Sequence, residues 1–185
     1  MNKKKIEYYK EVQTLEEWTE TIETKFSDFP LIRKNNELTI ETTLAITNPI
    51  EIEKIKKAQL IVYARKLGVE TFESACKKLN IDYKKHLRKI KELSEGVQSF
   101  SKLEIIIKVL QEDWKPDFNN DNQKKYYPYF KIDKSVSSCC FVYVDYSWVD
   151  WYVDTVWSRL CLPTAELAYF VGNYYIGLYK MFLLI

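Results

Sequence analysis

Cys140-Phe-Val-Tyr-Val-Asp-Tyr-Ser-Trp-Val-Asp-Trp-Tyr-Val-Asp-Thr-Val-Trp157 is the segment on which the architecture of this chain turns. Its β-branched and aromatic residues are strand chemistry. Strand alternation sets Val142, Val144 and Tyr146 on one face and Phe141, Tyr143 and Asp145 on the other. Lys125 to Ile132, Ser138 to Tyr146 and Val156 to Leu162 together read as a three-stranded antiparallel meander. One face is expected to pack on the final helix while the other shows its rings outward. Asp145, Asp150 and Asp154 recur too regularly for a dry core. Tyr and Trp give large contact area for little lost rotamer freedom, so Tyr143, Tyr146, Trp148, Trp151, Tyr152 and Trp157 are the expected partner-binding set.

Downstream, Pro163-Thr164 opens a helix with Leu167, Phe170, Val171, Tyr174, Tyr175, Leu178, Tyr179 and Phe182 at helical spacing. Its other face is barely charged, which implies either a homodimer through this helix or cover from the N-terminal helices. Upstream, Thr14-x-x-Glu17 is a capping box before Leu15, Trp18, Ile22 and Phe26. Leu38 to Thr47 alternates as a half-buried strand, and Lys34 to Glu37 is expected to turn a hairpin from Leu31-Ile32. Asn48-Pro49 restarts helix, with Ile52, Ile55, Ala58, Ile61 and Val62 as its stripe and Gly68 as its stop. Thr71 caps a short helix through Leu79. Tyr83 to Leu93 is the next helix, and another carries Leu103, Ile106, Ile107 and Leu110. The expected fold is α+β: a helical N-terminal half, a three-stranded antiparallel meander, and a long C-terminal helix packed on it. Residues 1–47 form an appended helix and hairpin, and 48–185 the main domain, with helices over 48–113 and the sheet plus final helix over 114–185.

Composition narrows the chemistry. The chain has 185 residues, 46% of them hydrophobic and 29% charged, which suits a folded domain with one good core. Its apolar run Leu167 to Tyr179 is shorter than the ~18–20 residues that span a bilayer, so a soluble cytoplasmic protein without membrane contact is expected. Cys76, Cys139, Cys140 and Cys161 form no C-x-x-C and are expected as free thiols. His86, the only histidine, lies on a lysine-rich helix with no nucleophile placed beside it and reads as a surface residue. Phosphate-loop and dinucleotide glycine patterns are absent, and the three aspartates fit no ligand spacing. No cofactor, no metal and no catalytic residue is expected.

A second surface is electrostatic. Lys77, Lys78, Lys84, Lys85, Arg88, Lys89 and Lys91 set seven positive charges against the single acid Asp82. On helices these make either a solvated face or a ridge that contacts phosphates. Lys84, Lys85, Arg88 and Lys89 are the alternative, nucleic-acid-binding set, with RNA or DNA as partner. Arginine is scarce, which argues against base-specific readout.

Thr71 to Leu79, Trp114-Lys-Pro-Asp-Phe-Asn119, Tyr126-Tyr-Pro-Tyr-Phe130, Ser158-Arg-Leu-Cys161 and Thr164-x-Glu166-Leu167-Ala168 occur in this order over about residues 70–185. Together they resemble a family of small proteins encoded by phages and integrated mobile elements of Bacteroidetes. Trp157 stands where that family usually has Gly, and Ala165 where a basic residue is usual. The resemblance implies an origin and assigns no activity. It also implies that the span between Tyr126-Tyr-Pro-Tyr-Phe130 and Ser158-Arg-Leu-Cys161 is the family's variable, aromatic-rich part, and it attaches no chemistry to Asp117 or Arg159. From that origin follows the expectation of a non-enzymatic accessory protein in the cytoplasm of a bacterial host. It would bind a host protein or ribonucleoprotein complex through the aromatic hairpin, and inhibiting a defence system in the manner of an anti-CRISPR would suit it.

Overall fold

The computed structural model describes residues 14–31, 39–133, 140–149 and 159–184, with the backbone alone for 41, 42, 132, 133 and 140–149. The chain divides into two compact units, Met1–Lys66 and Leu67–Ile185. The boundary expected after residue 47 falls inside the first of them.

The first unit is built on α1 (Leu15–Lys25), α2 (Ile40–Thr43) and most of α3 (Pro49–Leu67). Thr14 starts α1 with the expected capping box: the Glu17 amide donates to Thr14 Oγ1 at 3.2 Å, and the Thr14 amide donates to Glu17 Oε2 at 2.7 Å. The core joins Trp18 and Ile22 to Ile40 and to Ile55, Ala58 and Val62, with Leu15, Phe26, Phe29, Leu44 and Ile46 around it. Trp18 is fully buried, and its indole Nε1 donates to Glu51 Oε2 at 2.8 Å. Lys54 Nζ meets the other Glu51 oxygen at 2.8 Å. Charge-assisted bonds of this kind offset the desolvation of a buried carboxylate.

Leu38 to Thr47 is not a strand where it is described. Thr43 N and Leu44 N donate to the carbonyls of Thr39 and Ile40, both at 2.9 Å, and Ala45 takes a φ of 54°, which an extended strand excludes. Ile40 and Leu44 share a face at either period, so the alternation that suggested a strand is equally met by one helical turn. The hairpin expected over 31–38 lies almost wholly outside the described residues.

The second unit holds α4 (Phe72–Lys78), α5 (Tyr83–Ile90), α6 (Glu95–Gln111), β1 (Lys125–Asp133), β2 (Cys140–Val149), α7 (Ala165–Tyr174) and α8 (Ile176–Leu184). α6 packs against both α4 and α8, and α7 lies on the β-ribbon. Ring contacts stitch these layers: Phe100 to Phe182 at 5.0 Å between centroids, and Phe130 to Tyr179 at 4.8 Å. Leu103, Ile106, Ile107, Leu160, Leu162 and Phe170 are all below 2% exposed at the centre.

The α+β meander is overturned. The molecule is mostly helical, and among the described residues its only sheet is the two-stranded antiparallel β1–β2 ribbon. Pairing runs from Lys125↔Val149 to Asp133↔Cys140, and it shifts between Tyr129↔Asp145 and Phe130↔Tyr143, so Val144 opposes no residue. That bulge interrupts the strict alternation expected from Phe141 to Tyr146. Of the third expected strand, residues 156–158 lie outside the described set, and Arg159 and Leu160 form a tight turn. Leu162 alone bridges to Tyr126, with paired N–H···O bonds of 2.9 and 2.7 Å. Pro163 has no N–H to continue a ladder. The final helix also breaks at Tyr175, whose hydroxyl donates to the Val69 carbonyl; Tyr174 does the same to Glu70 at 3.1 Å.

Trp18→Ala should lower the stability of the first unit by ~3–5 kcal/mol, the usual cost of emptying a buried indole site. Urea denaturation followed by far-UV circular dichroism would read this, and a shift under ~1 kcal/mol would mean the indole is not the centre of that core.

Candidate nucleic-acid interface

Residues 71–91 form a short helix, a four-residue turn and a second helix. Thr71 caps α4 with a box of its own: Ser74 N donates to Thr71 Oγ1, and Thr71 N donates to Ser74 Oγ, each at 3.0 Å. The exit is a Schellman turn. Asn80 N donates to the Lys77 carbonyl at 3.1 Å, Ile81 N donates to the Cys76 carbonyl at 2.9 Å, and Asn80 sits in the left-handed region at φ 55°. Asparagine tolerates that region better than other side-chain-bearing residues. Asp82 then caps α5 at once, accepting from Lys85 N at 2.8 Å.

The turn fixes which side of α5 faces inward. Tyr83, His86 and Leu87 are half-buried and Ile90 is buried. Phe72 of α4 touches the Tyr83 ring at 5.8 Å and the His86 ring at 5.6 Å. His86 Nε2 lies 3.2 Å from Ser101 Oγ on α6. The expected surface histidine is therefore a packing residue that ties α5 to α6. Burial, helped by the nearby Lys89 charge, lowers its pKa from 6.5.

Lys84, Lys85, Arg88 and Lys89 occupy the opposite side of α5 and are all exposed, as are Lys77, Lys78 and Lys91. None of the seven forms an ion pair with a described residue, whereas Lys54, Lys57, Arg65 and Arg159 do. Lys78 folds its stem over Gly68, whose φ of 66° and close approach both disfavour a side chain. The alternative set read from sequence is thus brought together on one helix face.

The aromatic set is placed only in part. Tyr143, Tyr146 and Trp148 belong to β2, where the backbone alone is described, and Trp151, Tyr152 and Trp157 lie outside the described residues. On the facing strand Tyr129 is 53% exposed, beside the register shift. Asp145 pairs with it in the ladder, and Asp150 and Asp154 lie outside the described residues. No group of three His, Cys, Asp or Glu side chains suited to a metal occurs among the described residues. Cys76 and Cys161 are free and buried, and burial pushes the Cys161 thiol up to about 11, far from a reactive thiolate.

The motif segments are structural where they are described. Gln123 clamps its loop by accepting from Asp117 N at 2.6 Å and donating to the Lys115 carbonyl at 3.1 Å. Lys125 is fully buried, donates to the Asn120 carbonyl at 2.9 Å and lies 5.4 Å from the Phe118 ring. Gln111 Nε2 donates to the Cys161 carbonyl at 2.7 Å, and Arg159 makes an exposed pair with Glu104 at 3.4 Å. Sequence reasoning passed over Gln111, Gln123 and Lys125, since a polar residue gives no periodic signal. It also passed over the turn, although Leu79-Asn80-Ile81-Asp82 carries one, an asparagine two residues before an N-cap. No helix among the described residues is long and apolar enough to cross a membrane.

Comparison with family models, with curated proteins and with solved structures returns no match.

His86 gives a clean pH test. The folded chain holds the imidazole proton less tightly than the unfolded chain, because burial disfavours the charged ring. Its stabilising contribution is present above the unfolded value and fades as pH falls through the lowered one. The single histidine's ring C–H resonance should titrate with a midpoint below 6.5, and a midpoint above 6.5 would show the ring to be solvated or beside an anion.

Proposed function

We propose that this chain is a non-catalytic binding protein whose α4–α5 surface holds the phosphate backbone of a nucleic acid. The observation that carries the reading is the set of seven exposed cations, from Lys77 to Lys91, without an ion pair to any described residue. Phosphates are the ligand such a face fits: binding them releases condensed counterions, and lysine suits sequence-independent contact. With four such contacts, log K should fall against log salt with a slope of about −3 to −4. Reversing Lys84, Lys85, Arg88 and Lys89 to glutamate should weaken binding by on the order of 100-fold or more at low salt. Fluorescence anisotropy with labelled oligonucleotides measures both, and unchanged affinity in the reversed variant would end the reading.

A second reading keeps the aromatic docking face. In it, a phage or mobile-element accessory protein engages a host protein or ribonucleoprotein and blocks a defence complex. Tyr129 is the observation in its favour, a tyrosine left 53% exposed on the ribbon where partners are most easily engaged. Under this reading Tyr129→Ala weakens capture of the partner from bacterial lysate at least about tenfold, since exposed tyrosines at interface centres carry binding energy. Capture that survives this substitution and is abolished by nuclease treatment returns the function to the basic face.

A further inference from the structure

Residues 72–90 run helix, four-residue turn and helix, with the cations of the second helix turned outward. From these features we infer that α5 docks in the major groove of duplex DNA, an inference that rests on the phosphate-binding reading above. Three observations carry it.

The connection is short and rigid. Four residues, Leu79 to Asp82, pass the chain from one helix to the next, with the left-handed Asn80 and the Ile81-to-Cys76 bond fixing the bend. Helix-turn-helix units use such a three- or four-residue turn to present the second helix to the groove. The groove also admits such an element: an α-helix with its side chains is about 10–12 Å across, and the major groove of B-DNA is about 12 Å wide. The major groove of an RNA duplex is too narrow to admit a helix.

The third observation is what the face lacks. Single-strand binders stack bases on exposed aromatic rings. Here Phe72 and Tyr83 are half-buried and packed on one another, and the outward residues of α5 are Lys84, Lys85, Arg88 and Lys89. A cationic helix face without rings suits a duplex, whose phosphates line both sides of the groove. With three lysines to one arginine there, contacts are mainly to the backbone and sequence preference is weak.

The test uses the full chain and four labelled probes of equal length: a DNA duplex, the matching RNA duplex, and single-stranded DNA and RNA. The DNA duplex should bind at least about tenfold tighter than the other three at equal salt, because the RNA major groove excludes the helix. Methyl green, which occupies the major groove, should compete, and distamycin, which occupies the minor groove, should not. Lys85→Gln should weaken the duplex without altering the far-UV circular dichroism spectrum. Equal or tighter binding of RNA or single strands, still lost on charge reversal, overturns the duplex inference and leaves the phosphate-binding reading standing. Competition by distamycin instead of methyl green overturns it in the same way. Binding of no probe, or binding that charge reversal does not touch, overturns both.

Discussion

A helix buried around most of its circumference governs the second unit. α6 hides Leu103, Ile105, Ile106, Ile107, Val109 and Leu110, which point to more than one side of a 3.6-residue helix. Such a helix is stable only when several neighbours cover it. α4 and α8 supply that cover, and α8 in turn carries Tyr179 against Phe130 of the ribbon. The position of α5 follows. Tied to α4 by four residues and to α6 through His86, it has one side committed to the core and one side left for solvent or a partner.

Polar contacts then fix the segments that apolar burial alone would leave loose. The Tyr174 and Tyr175 hydroxyls hold the carbonyls of Glu70 and Val69, in the stretch that leads into α4. Gln111 ties the end of α6 to the backbone at Cys161, and the Lys125 ammonium is sunk under its own loop. Buried backbone carbonyls need such partners, and losing one leaves a desolvated acceptor. The tyrosine and Gln111 ties connect residues far apart in the chain, so they set where α4 begins without belonging to the basic surface.

Most helices were legible from capping and apolar spacing. Thr14 and Thr71 act as N-caps, Thr164 opens α7, and Ile55, Ala58 and Val62 are buried as the stripe requires. The strands were less legible. Leu38 to Thr47 alternates, yet Ile40 and Leu44 satisfy both periods, and a Thr39–Thr43 turn settles the ambiguity locally. Pairing between distant segments is invisible in a single sequence, so the third strand was inferred from β-propensity that Pro163 and the Arg159–Leu160 turn override. The basic face was legible as a charge run. Which side of α5 turns inward was not, because that depends on which way the turn at Asn80 throws the helix.

The charge on that outward side works against the helix that carries it. The chain carries 28 basic and 26 acidic residues, enough acids to neutralise most of its cations. Some of them pair, in Lys57–Glu53, Arg65–Glu23 and Arg159–Glu104, and among the described residues none of the α5 cations does. Lys84 with Arg88, and Lys85 with Lys89, set like charges four residues apart, which weakens a helix. Lys84 and Lys85 also stand in a first turn that holds no acid, where the helix dipole disfavours cations. The helix forms despite this because Asp82, the Asn80 turn and the inward Tyr83, His86 and Ile90 hold it. The cationic side of α5 is thus held by cap, turn and packing against the helix's own stability; under the proposed phosphate-binding reading, a polyanion would offset both penalties.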